Sequence, residues 1–189
     1  MARLVECIPN FSCSKEKDEA AYNALVDVAK SVPGCTLFDA QTDGNHNRCV
    51  FTMIGSPEAI EEVAFQLAKK AAEVIDMTKH VGEHSRMGAT DVIPFVPTMG
   101  VTVEECVEIS KRLGQRIWDE LKIPSFLYED SAGQGSDHLI DHVQRGILIV
   151  DHVHGNLGDA PVLQHEAAAA PRPLWRALWA RPSPPWCAL

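Results

Sequence analysis

The sequence predicts an α/β (α+β) protein: a ferredoxin-like mixed sheet with helices packed on one face over residues 1–131, then a divergent, poorly ordered tail over 132–189. Three observations carry this. β-rich runs and capped amphipathic stretches follow one another as β-α-β-β-α-β-α-β up to Tyr128. The first six of these elements have the ferredoxin-like order. Beyond about Ala132 residue usage changes: all eight lysines lie at or before Lys122, whereas five of the eight histidines and three of the four tryptophans follow it.

Leu4 to Ile8 reads as a short strand ended by Pro9-Asn10. Tyr22, Leu25, Val26, Ala29 and Val32 recur at helical spacing, with Ser14 available as a cap and Pro33-Gly34 as the stop. Thr36 to Asp39 and Cys49 to Ile54 are β-rich and flank the turn-forming Thr42-Asp43-Gly44-Asn45. Ser56-Pro57-Glu58 opens a second helix, with a hydroxyl cap, proline at the first position and an acid in the first turn. Its apolar stripe is Ile60, Val63, Ala64, Leu67, Ala71 and Val74. A polar loop from Thr78 to Thr90 leads into Val92-Ile93-Pro94-Phe95-Val96-Pro97, whose two prolines predict an edge strand. Thr102-Val103-Glu104-Glu105 is a capping box for a third helix with Cys106, Ile109, Leu113, Ile117 and Leu121 on one face. Pro124 ends it, Ser125 to Tyr128 is a further strand, and Gly146 to Val153 is apolar enough for one more. The expected core joins Leu4, Val5, Val50, Met53, Val63, Leu67, Val92, Phe95, Leu113 and Phe126.

Composition narrows the function classes. A net charge of −9 gives no concentrated basic face for nucleic acid. No stretch approaches the ~20 apolar residues of a membrane span, and the N-terminus does not read as a signal peptide, so a cytoplasmic location is expected. The six cysteines form no CxxC pair and read as buried hydrophobes or inert thiols. His138 and His142, with Asp137, Asp141, Asp151, His152 and His154 nearby, have a spacing open to metal. They lack an HExxH arrangement and are read as polar, solvated residues, so no metal is expected.

The chemistry concentrates between the second helix and the proline-bearing strand, in His80-Val81-Gly82-Glu83-His84-Ser85-Arg86-Met87-Gly88-Ala89-Thr90-Asp91. Histidine moves protons near neutral pH, a neighbouring carboxylate such as Glu83 fixes its tautomer, and an arginine such as Arg86 binds an anion bidentately. Glycines let a ligand approach the backbone. On composition alone this loop is either a solvated connection or a site. Asn10, Asp39, Asn47 and Arg48 follow the first strand, end the second and precede the third, so the predicted sheet gathers their tips in one place. Turn chemistry for the asparagines and a surface ion pair for Arg48 are the alternatives.

Glu6-Cys7-Ile8-Pro9-Asn10-Phe11-Ser12, Ile75-Asp76-Met77, Gly82-Glu83-His84-Ser85-Arg86-Met87-Gly88-Ala89, Asp91-Val92, Gly100-Val101-Thr102, Gly114-Gln115-Arg116 and Phe126-Leu127-Tyr128 resemble, in order, the blocks of formiminotransferases. The resemblance covers residues 2 to 131 and is to the N-terminal subdomain of that family. It implies transfer of a formimino group from N-formimino-L-glutamate to tetrahydrofolate, the co-substrate, in histidine breakdown. It implies His84 as the acid/base residue; Asn10, Asp39, Asn47, Arg48, Glu83 and Arg86 are the residues expected around the substrates. The chain departs from the family's pattern at Cys13-Ser14, where an acid and glycine are usual, and at Ser85, where proline is usual. Gln41 stands where a second acid is usual, with Asp43 the nearest acid to replace it. A folate-contacting Gly/Ser/Pro-rich run and a second subdomain, also implied by the resemblance, are not found in the tail. The expected partners are therefore the two substrates and either a second copy of the chain or a chain supplying the second subdomain. The rival expectation is a catalytically inactive subdomain that serves as a binding or interaction protein.

Overall fold

The computed structural model describes residues 2–84, 86–131 and 146–149. Seven strands form one sheet: β1 (Leu4–Cys7), β2 (Asn10–Phe11), β3 (Cys35–Asp43), β4 (Arg48–Gly55), β5 (Thr90–Met99), β6 (Ser125–Tyr128) and β7 (Gly146–Ile149). Three helices, α1 (Glu19–Ser31), α2 (Pro57–Val74) and α3 (Val103–Leu121), are interleaved with them. β1 and β2 are one strand interrupted at Ile8-Pro9, and both lie between β4 and β5. β3 pairs with β4 on one side, while β5, β7 and β6 continue the sheet on the other. The sheet was expected to be mixed, yet every described ladder is antiparallel. The α1 and α2 crossovers each skip one position, and the strand inserted there runs opposite to both its neighbours.

Local sequence sets the helix starts. Asp18, rather than Ser14, caps α1: its side chain accepts the Ala21 N–H at 3.0 Å. Ser14 lies further back, where its carbonyl takes the N–H groups of Lys17 and Asp18. Ser56 caps α2 with Pro57 in the first turn, and Thr102 and Glu105 close the expected capping box of α3. α3 ends at Lys122, which takes the left-handed conformation at φ 60°.

The proline-bearing strand β5 is central, not at an edge. Its prolines are tolerated because each sits at an irregularity of the ladder. Pro97 lies at the register shift between Leu4 and Val5, and Pro94 lies level with the break between β1 and β2. There the Pro94 carbonyl accepts the Ile8 N–H at 3.1 Å.

One face of the sheet meets the helices. Val5, Cys7, Phe11, Cys49, Phe51, Met53, Ile93 and Phe95 alternate inward and pack with Leu25, Ile60, Val63, Leu67, Ile109, Leu113 and Ile117. Leu4, Val50, Val92 and Phe126, expected in this core, have the opposite strand parity. With a side-chain period of two, Leu4 cannot share a face with Val5, nor Val92 with Ile93. They belong to the outer face, which carries Glu6, Asn10, Arg48, Val50 and Thr52 as well. Cys7, Cys13, Cys49 and Cys106 are buried and outside any disulfide, and burial holds the Cys7 thiol well above its ordinary range.

Candidate active site

The outer face becomes chemically distinctive where β2, β4 and β5 meet the loop after α2. Asn10 pairs with Val92 and Phe11 with Thr90, which leaves Asp91 as the extra residue of a β-bulge. A bulge re-aims a side chain, and here the Asp91 carboxylate meets the Arg48 guanidinium in an ion pair. The two side chains are only 6% and 15% exposed, so neither charge is left to bulk water. The second Asp91 oxygen accepts the Met87 N–H at 2.8 Å, tying the loop to the sheet. Arg48 Nε donates to Asn10 Oδ1 at 3.1 Å, and Asn10 Nδ2 donates to the Ile8 carbonyl at the strand break.

Arg48 Nη1 also reaches His84 Nδ1, at 3.3 Å. Arginine has no acceptor, so Nδ1 receives this bond and the neutral ring carries its proton on Nε2. His84 itself is exposed. Its ring meets that of His46 edge-to-face, with centroids 5.8 Å apart and planes at 77°. His46 occupies the β3–β4 turn, where Asp43 organises the backbone. One Asp43 oxygen accepts the N–H groups of Asn45 and His46 at 2.8 and 3.0 Å, and the other contacts His46 Nδ1 at 2.8 Å. The His46 backbone N–H, and after it the His46 ring, hold the Asp43 carboxyl below the ordinary carboxylate range.

The loop is locked against this turn. A Cβ on Gly82 would lie 2.1 Å from the His46 carbonyl oxygen, so the close approach demands glycine. Glu83 N–H donates to the Asn45 carbonyl at 3.1 Å. Asn47, left-handed at φ 51°, gives its side-chain amide to the Val81 carbonyl, while its own carbonyl meets His80 Nε2 at 2.9 Å. Burial lowers the His80 ring below its usual range, which keeps it neutral as a structural link. Gly82→Ala is therefore expected to force the loop off the turn and cost roughly 1–3 kcal/mol, as overpacking does. Thermal unfolding measures the loss; an unchanged melting temperature would show that the loop shifts freely.

Of the residues singled out in the sequence, the fold brings Asn10, Arg48 and His84 into one hydrogen-bonded cluster. Asp39 lies on the outer face of β3, opposite Thr52, where it accepts from Gln41 Nε2 at 2.8 Å and stands apart from Arg48. Arg86 donates to the His80 carbonyl at 2.8 Å, Glu83 is exposed, and Asn47 is turned into the loop. Asp91 and the Asp43–His46 pair are additions. Asp91 immediately precedes an apolar strand, and Asp43 and His46 stand three apart in a predicted turn; those were the available signals. Among the described residues no group of three or more His, Cys, Asp or Glu side chains could hold a metal ion, and no helix is long and apolar enough to cross a membrane. The tail histidines His138 and His142 lie outside the described residues.

The antiparallel α/β domain thus brings a histidine, a paired arginine and a carboxylate together at a glycine-bearing loop. Residues 4–157 match the family model described as formiminotransferase domain, N-terminal subdomain, and the chain belongs to that family. It is 56% identical over 146 residues to glutamate formimidoyltransferase from Streptococcus pyogenes serotype M1, an alignment covering 77% of this chain and 48% of that protein. It is 47% identical over 148 residues to formimidoyltransferase-cyclodeaminase from Gallus gallus, covering 77% and 27% respectively. With the glutamate formimidoyltransferase of Thermoplasma acidophilum it shares 44% identity over 129 residues, covering 68% and 42%. The chain thus spans about half or less of the length of the curated relatives it matches.

Proposed function

We propose that this chain contributes the His84 side of a site that transfers a formimino group from N-formimino-L-glutamate to tetrahydrofolate, in histidine breakdown in the cytoplasm. The observation that carries this reading is the Arg48 guanidinium, held by Asn10 and Asp91 and reaching the ring of His84, at the loop that bears the family's Gly-Glu-His run. The folate N5 loses a proton as it attacks the amidine carbon, and the departing glutamate nitrogen gains one. His84, exposed at the reacting centre, is the acid/base group, and no covalent enzyme nucleophile is required.

Recognition follows from charge and position. Arg48, held by Asn10 and Asp91, and Arg86, anchored by one nitrogen to the loop, are the guanidiniums that this reading assigns to the carboxylates of a glutamate moiety. Of the other expected residues, Glu83 is exposed on the same loop and adds to the polar rim, whereas Asp39 and Asn47 make their contacts elsewhere. The test is spectroscopic formation of 5-formimino-tetrahydrofolate or its cyclised derivative. The purified chain is assayed alone and mixed with a fragment supplying the half of the streptococcal relative that it does not span. Product is expected in at least one arrangement, and its absence from both would reject the reading.

A further inference from the structure

The carboxylate on the bulge of β5 joins the sheet half of the site to its loop half. One oxygen of Asp91 meets the Arg48 guanidinium, and the other accepts the Met87 N–H at 2.8 Å. Arg48 Nη1 reaches His84 Nδ1 at 3.3 Å, and only His84, Ser85 and Arg86 separate Glu83 from Met87 along the chain. Asp91, Arg48, His84 and Met87 therefore form a closed ring of three polar contacts and a short length of backbone. That length is held at both ends. Glu83 N–H donates to the Asn45 carbonyl, and beyond Met87 the Ser12 hydroxyl and N–H donate to the Gly88 and Ala89 carbonyls at 2.7 and 2.9 Å. A backbone so fastened still leaves free the side-chain torsions of an exposed histidine, and these are what the closed ring restrains.

We propose that Asp91 is a positioning residue, which holds the His84 ring, through Arg48 and Met87, in the orientation from which His84 moves the proton. This rests on the formimino-transfer reading and keeps His84 as its acid/base group. The residue type suits the task. A carboxylate has two acceptor oxygens and gives one to each partner, and its charge balances a guanidinium that is only 15% exposed. Asparagine has a single oxygen, so it serves Arg48 or Met87 but not both, and its amide nitrogen then faces a donor. Either choice opens the ring. Misplacing a reacting group by about 1 Å costs about 10²-fold in rate, because orientation supplies a large share of the acceleration.

Asp91→Asn in the full chain is the test, read first without reference to activity. Three-bond NMR couplings of the His84 side chain should report one χ1 rotamer in the wild type and averaging among rotamers in Asp91→Asn. In the assay above, Asp91→Asn should lower kcat about 10²-fold. Added to His84→Ala it should cause little further loss, since orientation has no value once the ring is gone, whereas general damage to the fold would multiply the two losses. Should Asp91→Asn fail to fold around an unpaired guanidinium, Arg48→Gln combined with Asp91→Asn strands no charge and should show the same averaging of the His84 ring. A His84 ring that already averages in the wild type, or that keeps one rotamer in these variants, overturns the proposal. So do losses that multiply with those of His84→Ala, and each of these results leaves formimino transfer standing. If the wild-type chain makes no formimino-folate in either arrangement, the transfer reading fails and the part of Asp91 in it fails too, whatever the couplings show.

Discussion

His84→Ala is expected to lower formimino transfer by roughly 10²–10⁴-fold, the range for losing a group that transfers or donates a proton at the reacting centre. The substitution removes the ring that meets both Arg48 Nη1 and His46, yet it takes nothing from the core, because His84 is exposed. The Arg48–Asp91 pair and the Asp91 bond to Met87 persist without it. Melting temperature should therefore stay near that of the wild type while kcat falls. Near-normal turnover would remove His84 from the mechanism, and a large drop in melting temperature would show that the ring is structural.

Leu67→Ala is expected to destabilise the fold by roughly 2–5 kcal/mol, the usual cost of a buried leucine cavity. Leu67 is 0% exposed on α2 and belongs to the cluster that joins the helices to β1, β4 and β5. Removing it opens a void between elements whose backbones are fixed by the sheet, so collapse around the gap is limited. Denaturant unfolding should show a lower midpoint with an unchanged slope. A change no larger than that of an exposed substitution would mean that α2 presents another face to the sheet.

The helices were legible because each carries its own signals: the Thr102 capping box, Ser56 followed by Pro57, and apolar stripes at a spacing that only one helix face can satisfy. The strands were legible in existence but not in parity. β5 reads as a continuous apolar run because both its faces are covered along Thr90–Phe95, so alternation was absent where it was needed to separate Val92 from Ile93. Its central position was hidden because prolines at ladder irregularities look the same in sequence as prolines at an edge. In the site, His84 could be named from its motif, and Asn10 and Arg48 from their places at the ends of strands. Asp91 was assigned no role because a bulge is a property of paired strands, and the sequence of β5 alone does not reveal which residue lacks an opposite number. The Asp43–His46 contact is local, three residues apart, but its meaning depends on Gly82 bringing the second ring alongside.

The substrates are expected to meet on the outer sheet face, around Asn10, Arg48 and His84. Titrating tetrahydrofolate and N-formimino-L-glutamate into the isotope-labelled chain, and following amide and side-chain resonances, tests it directly. Saturable shifts are expected at His84, His46, the Arg48 side chain, the Asn10 amide and the Gly82–Met87 segment, with the exposed faces of α2 and α3 unmoved. Shifts confined to the helical face, or binding that leaves Arg48 and His84 unchanged, would contradict it.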